Sequence, residues 1–183
     1  MVRYFRKRTD LFDGRPKRML HVAPERGLAG MFEEALGRSY VSVDLAAHYH
    51  PRLLGDVTAL SFPDATFDVI YCSHVLEHVP DDLGAMREFR RVLKPGGWAI
   101  LQVPMRRTDH TYEDWTMTTP EQRLAAFGQR DHVREYGPDY VDRLRRAGFL
   151  VTVEPYGRAQ AALTRWRCGL SAGHDVYVCR HAA

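Results

Sequence analysis

Cysteine is scarce in this chain: Cys72, Cys168 and Cys179 are the three present in 183 residues. An odd number cannot all pair internally, and Cys72 closes an apolar run, so reduced thiols rather than a disulfide framework are expected. No apolar stretch is long enough to cross a bilayer, and Arg3, Arg6, Lys7 and Arg8 interrupt the start where a secretory leader would need an apolar core. A cytoplasmic protein without a membrane partner is the expectation. One-sided charge is also missing, since the net charge is only +3. That excess sits near the start, with Arg15, Lys17 and Arg18 added to the residues above, and reads as a solvated face; no nucleic-acid partner is expected. Repeats, low-complexity tracts and linkers are absent, so residues 1–183 are read as one domain with a basic segment over 1–17. Paired metal-ligand spacing is lacking too. His48 and His50 flank Tyr49, and Cys168, His174, Cys179 and His181 lie near the end, but neither group has C-x-x-C or H-x-x-x-H spacing, so no metal site is expected. A glycine-rich pyrophosphate turn is missing as well, which argues against a nicotinamide enzyme.

What is present is ordinary in amount and specific in order. Hydrophobic residues make up 45% and charged residues 27%, enough to bury a core in a chain of this length. Phe67 to Cys72 is a short apolar run rich in strand formers. Asp81 and Asp82 stand where an N-cap belongs, and Leu83, Met86, Phe89, Val92 and Leu93 follow at helical spacing. Lys94-Pro95-Gly96-Gly97 then stops the helix, and Trp98 to Val103 resumes an extended apolar pattern. Strand, helix, turn and strand in that order are a βαβ unit of a buried parallel sheet. A second unit lies upstream: Arg18 to Ala23 as strand, Gly27 to Leu36 as helix, Tyr40 to Leu45 as strand. Between Asp44 and Asp56 the chain is too short for a full crossover helix plus strand, so the third strand should be reduced.

The stretch from Asp68-Val69-Ile70 through Leu76-Glu77-His78 to Leu93-Lys94-Pro95-Gly96-Gly97 closely resembles class I S-adenosylmethionine-dependent methyltransferases, of the small type 11-like kind. The resemblance implies a Rossmann-like three-layer α/β/α sandwich, a mostly parallel sheet with an antiparallel C-terminal strand, and S-adenosylmethionine as cofactor. It implies transfer of a methyl group to a small-molecule or metabolite acceptor; the alternative is a degenerate, methyltransferase-like binding or scaffold subunit. In the family the first strand ends in an acid followed by alternating glycines. Here those positions hold His21, Ala23 and Glu25 with Pro24 between the last two, and only Gly27 is kept. Either Glu25 replaces the missing acid, welcome beside an ammonium and a sulfonium, or it merely favours the N-terminus of the next helix. By the same resemblance Asp44, with Leu45 after it, would accept the ribose hydroxyls, Asp56 and Val57 would meet the adenine, and Ser73, His74 and Val75 would line the cofactor.

Met105 to Tyr136 is long for a connection and dense in polar and aromatic groups, so residues 105–137 are read as an acceptor-binding insertion. Thr119-Pro120-Glu121 opens a short helix through Phe127, and Gly128 ends it. His132 or His74 has the unperturbed pKa of a general base, should the acceptor need one, and His78 is a further candidate better suited to packing. Arg106, Arg107, Arg130 and Arg134 suit an anionic acceptor, with Asp131 and Tyr136 beside them; salt bridges that only tie the loop down are the competing reading. Pro138 to Ala147 is a helix, Phe149 to Glu154 and Asp175 to Cys179 are closing strands, and Gly157 to Gly173 is either a flap over the pocket or a plain connection. The oligomeric state is not legible.

Overall fold

Residues that are apolar on both faces of an extended segment have to be covered from both sides, and this chain solves the problem with one sheet between two helical layers. A computed structural model describes residues 1–47, 50–106 and 109–182. His48 and Arg107, singled out above, lie outside them. The strands are β1 (Met19–Val22), β2 (Tyr40–Asp44), β3 (Leu53–Leu54), β4 (Phe67–Ser73), β5 (Leu93–Gln102), β6 (Tyr112–Glu113), β7 (Arg134–Glu135), β8 (Leu150–Glu154) and β9 (Val176–Arg180). The helices are α1 (Val2–Arg8), α2 (Arg26–Leu36), α3 (Asp82–Val92), α4 (Pro120–Phe127), α5 (Tyr140–Arg146) and α6 (Ala162–Cys168).

The main sheet has the order β3-β2-β1-β4-β5-β9-β8. Strands β1 to β5 run parallel, while β9 is antiparallel to both β5 and β8. Alternation sorts each central strand between two cores. Leu20, Val22, Ile70, Cys72, Ala99 and Leu101 pack with Ala85, Met86 and Phe89 of α3 and Tyr140 and Leu144 of α5. Met19, Val69, Tyr71, Trp98 and Ile100 pack on the other side with Leu28 and Phe32 of α2 and Tyr4 and Phe5 of α1. The third strand is only two residues long, and both are exposed, as the short connection requires.

Two details depart from the sequence expectation. The basic N-terminal segment is a helix, not only a solvated face: Phe5 is fully buried and meets Phe32 and Tyr71 edge-on, with ring centroids 4.9 and 5.1 Å apart. Its four basic residues stay exposed, which hides the two core aromatics from a charge count. Lys94-Pro95-Gly96-Gly97 does not separate helix from strand but forms a bulge inside β5, where pairing passes from Phe67↔Leu93 to Val69↔Trp98. A Cβ at Gly97 would lie 2.9 Å from the carbonyl oxygens of Asp68 and Lys94, so this bulge accepts only glycine.

Candidate active site

β1 ends at Val22 and the chain turns through Ala23, Pro24 and Glu25 into α2. Ala23 takes φ 47°, the left-handed backbone that glycine would take without strain, and donates its N–H to Val43 O at 2.8 Å. The turn is held from beneath by a buried relay. His21 is inaccessible to solvent; its Nδ1 lies 2.9 Å from the Tyr40 hydroxyl and its Nε2 2.7 Å from Glu25 Oε2. Burial pushes the Tyr40 phenol up to about 12, so it remains a donor. With that hydroxyl donating to Nδ1, Nε2 carries the proton that Glu25 accepts. Tyr71 donates its hydroxyl to the other Glu25 oxygen at 3.2 Å. Burial alone would raise the Glu25 pKa, but the hydrogen bonds from His21 and then Tyr71 outweigh it and hold the carboxyl below its ordinary value. Glu25 occupies the N-cap position of α2 without its side chain capping the helix. The carboxylate is therefore aimed by His21 and Tyr71 rather than spent on the helix end.

Above it opens a cleft of about 730 Å³ at the carboxyl edge of β1, β4 and β5, where parallel α/β sheets place ligands. Glu25, Gly27 and Leu28 form one wall; Tyr71, Ser73 and His74 form the floor. The opposite wall comes from Ser171, Gly173 and His174, so the 157–173 segment carries α6 and then closes one side of the cleft. Gln102 fixes that wall, donating to Asp175 O at 3.0 Å and accepting from Tyr177 N at 2.9 Å. His74 sits at φ 56°, its N–H given to Gln102 O at 3.0 Å and its Nδ1 at 3.4 Å from Glu77 Oε1. The Glu77 carboxylate raises the His74 pKa above its ordinary value, against the opposing effect of burial.

The remaining cofactor candidates lie along the same edge but outside this cleft. Asp44 is half-buried and accepts from Ala46 N at 3.3 Å, Leu45 is exposed, and Val57 and Val75 pack on the core. Asp56 accepts from Thr58 N at 2.8 Å and Thr58 Oγ1 at 2.7 Å, bonds that lower its pKa. In the 105–137 insertion α4 begins with a capping box, Thr119 and Gln122 bonding each other's backbone N–H. Arg106 pairs with Glu135, and Arg130 with Glu121 at 2.7 Å, both near solvent.

Arg134 and Tyr136 correct the sequence reading: neither faces an acceptor. Arg134 is 1% exposed, and its guanidinium donates to Glu113 Oε1 at 2.6 Å and to the carbonyls of Leu76, Val79 and Pro80. Tyr136 is fully buried and donates to Asp82 Oδ2 at 2.8 Å. Arg143 completes the network, bonding both oxygens of Asp82 and pairing with Glu113 Oε2 at 2.9 Å. These charges are consumed in clamping the insertion to the turn that follows β4. His132 is 5% exposed and stands edge-on to His78, ring centroids 4.6 Å apart, rather than in the cleft. Burial first, then His78, lowers the His132 pKa.

Residues 27–101 match the family model described as a methyltransferase domain. An uncharacterized methyltransferase of Schizosaccharomyces pombe is 35% identical over 80 residues, which are 44% of this chain and 29% of that protein. The ubiquinone biosynthesis O-methyltransferase of Paraburkholderia phymatum is 31% identical over 122 residues, 65% of this chain and 52% of that one. The chain thus spans about half or less of the length of these curated relatives. An S-adenosylmethionine-dependent methyltransferase from Mesorhizobium loti superposes with a TM-score of 0.65 over 90% of both chains at 17% identity, a likeness of fold. Residues 27–101 thus carry the sequence signature of a methyltransferase domain, on a fold shared with that S-adenosylmethionine-dependent methyltransferase.

Within this methyltransferase fold, sequence reasoning missed three groups the structure makes prominent. Tyr71 reads as one more strand aromatic, yet its hydroxyl orients Glu25. Gln102 reads as the end of a strand, yet it pins the far wall. Glu77 reads as part of a helix start, yet its carboxylate is buried. The strand alternation that puts Tyr71 on the α2 side was the available signal for the first. For Gln102 the partners, Asp175 and Tyr177, are too distant along the chain to be seen. Among the described residues no helix is long and apolar enough to cross a membrane.

Proposed function

We propose that this protein is a cytoplasmic S-adenosylmethionine-dependent methyltransferase acting on a small-molecule or metabolite acceptor. The observation that carries the reading is the Glu25 carboxylate, aimed into the cleft by His21 and Tyr71. A cationic cofactor fits that chemistry, since an oriented carboxylate favours an ammonium and a sulfonium and repels a pyrophosphate. Ala23, Pro24 and Gly27 would shape the turn around its amino-acid end. Asp44 would accept the ribose hydroxyls, and Asp56 with Val57 the adenine edge, following the carboxyl ends of β2 and β3 outward from the cleft. The cofactor supplies an activated methyl group, so the protein has no nucleophile to provide; its work is to hold and orient the reactants and exclude water. His74, which lines the cleft beside Ser73, would take a proton from a hydroxyl or ammonium acceptor. Arg106, Arg130 and Asp131, on the outer face of the insertion, are left to guide the acceptor. Free cysteines, with Cys72 and Cys179 buried and Cys168 exposed, are in keeping with a reducing compartment.

Calorimetric titration with S-adenosylmethionine and S-adenosylhomocysteine, with NAD as control, tests the reading. Micromolar binding of the first two without NAD is expected, and would open a screen of acceptors. A folded protein giving no heat with either would refute it.

A further inference from the structure

Glu77 is 1% exposed, and neither of its carboxylate oxygens has a hydrogen-bond partner among the described residues. Its approach to His74 Nδ1, at 3.4 Å, is an ion-pair contact without hydrogen-bond geometry. Burying a carboxylate in that condition is costly unless a cation shares the site. Two imidazoles stand beside it. Donor atoms of Glu77, His78 and His132 all lie within 4.8 Å of one another, the one such grouping of metal-ligating side chains among the described residues. A small inward shift would bring them onto one ion at roughly 2.0–2.2 Å.

We infer that Glu77, His78 and His132 form a binding site for a divalent transition-metal ion. The site is separate from the cleft but shares a wall with it through His74, which contacts Glu77 on one side and lines the cleft on the other. Two imidazoles and one carboxylate are a borderline donor set, suited to Zn²⁺, Co²⁺ or Mn²⁺; Mg²⁺, which prefers oxygen, is disfavoured. Three protein ligands leave coordination positions open, and the Asp131 carboxylate, 3.2 Å from His78 Nδ1, supplies a further oxygen at the rim.

The scaffold around these ligands is fixed. Val133 N–H donates to Glu77 O at 2.9 Å, joining the loop that carries His132 to the turn that carries Glu77 and His78. Arg134, two residues beyond His132, grips the carbonyls of Leu76 and Val79 on either side of Glu77 and His78. Ligands held this way pay little ordering cost on binding. Whether an open coordination position also takes an acceptor oxygen rests on the methyl-transfer reading; metal binding itself does not.

The test uses the whole chain, stripped with EDTA and titrated with Zn²⁺ by calorimetry, followed by Co²⁺ absorption spectroscopy. One tight equivalent is expected, with a Co²⁺ spectrum of low coordination number and a rise in melting temperature. Glu77→Gln and His132→Ala should each weaken binding by more than about 100-fold, beyond the loss that removing an outer-sphere partner causes. Cys168→Ser, at the exposed thiol, should bind as the parent does. Glu77→Gln conserves side-chain size and carries the test alone if His132→Ala does not fold. Absence of binding by the folded protein, binding that survives Glu77→Gln, or a preference for Mg²⁺ over Zn²⁺ would overturn the assignment. None of these readouts depends on methyl transfer, so failure here and failure of the proposed function are distinguishable.

Discussion

Glu25→Gln separates electrostatic from steric roles of the first loop. Gln keeps the size of the side chain and an oxygen that can still accept from Tyr71, so the turn should persist; what is lost is the charge and the second acceptor oxygen, which faces His21. At about 4 Å and an effective dielectric of about 20, a carboxylate and an ammonium attract by about 4 kcal/mol. The Glu25 side chain is 41% exposed, so water screens much of that, and we take roughly a third, about 1.4 kcal/mol. Calorimetry should therefore find S-adenosylmethionine binding weakened about tenfold. S-adenosylhomocysteine carries the ammonium without the sulfonium. An equal loss for both ligands places the carboxylate at the ammonium, and a loss for the methylated form alone places it at the sulfonium. Unchanged affinity for both would refute the reasoning and return Glu25 to a local structural role.

Three further substitutions address the rest of the molecule. Arg134→Met removes the donors that clamp the insertion and should cost about 3–5 kcal/mol, lowering the melting temperature by roughly 10 °C; a change within about 1 kcal/mol would mean that Arg143 suffices. Glu113 feels burial pushing its pKa up, but bonds from Arg134 and Arg143 outweigh this and hold it below the ordinary value. Its contribution is thus present above about pH 4.5 and is lost as pH falls through the depressed native pKa. Denaturation midpoints followed into acid should fall more steeply for the parent than for Glu113→Gln, and parallel curves would contradict the sign. Asp44→Ala should weaken cofactor binding by about 1–3 kcal/mol through unpaired ribose hydroxyls; equal affinity would take Asp44 out of the binding path.

The central sheet was legible because its evidence is local. Apolar runs at Phe67 to Cys72 and Trp98 to Val103, the Asp81 cap and the Thr119-Pro120 helix start each concern residues a few positions apart, and each appears in the structure. The reduced third strand followed from the length of its connection. The N-terminal helix escaped because its core contribution is two aromatics among basic residues, too short a pattern for a periodicity to emerge. The candidate site was half legible: Ser73, His74 and Glu25 line the cleft, whereas the groups that hold them, His21, Tyr71 and Gln102, sit on strands β1, β4 and β5.

The insertion itself shows why spacing rules fall short there. Arg134 reads as a partner for an anionic acceptor and Glu77 as part of a helix entry, and the fold buries both to 1% exposure. They then differ in a way no sequence displays. Every nitrogen of the Arg134 guanidinium has an acceptor, so its charge is explained by what it holds together. Neither oxygen of Glu77 has a hydrogen-bond partner among the described residues, and two imidazoles stand beside it, His78 next to it in the chain and His132 from the insertion. A buried charge whose bonds are all used is structural; one whose bonds are unused asks for a ligand. The same clamp that disqualifies Arg134 from meeting an acceptor is what brings His132 to Glu77, so the residue lost to the substrate becomes the reason a metal has somewhere to bind.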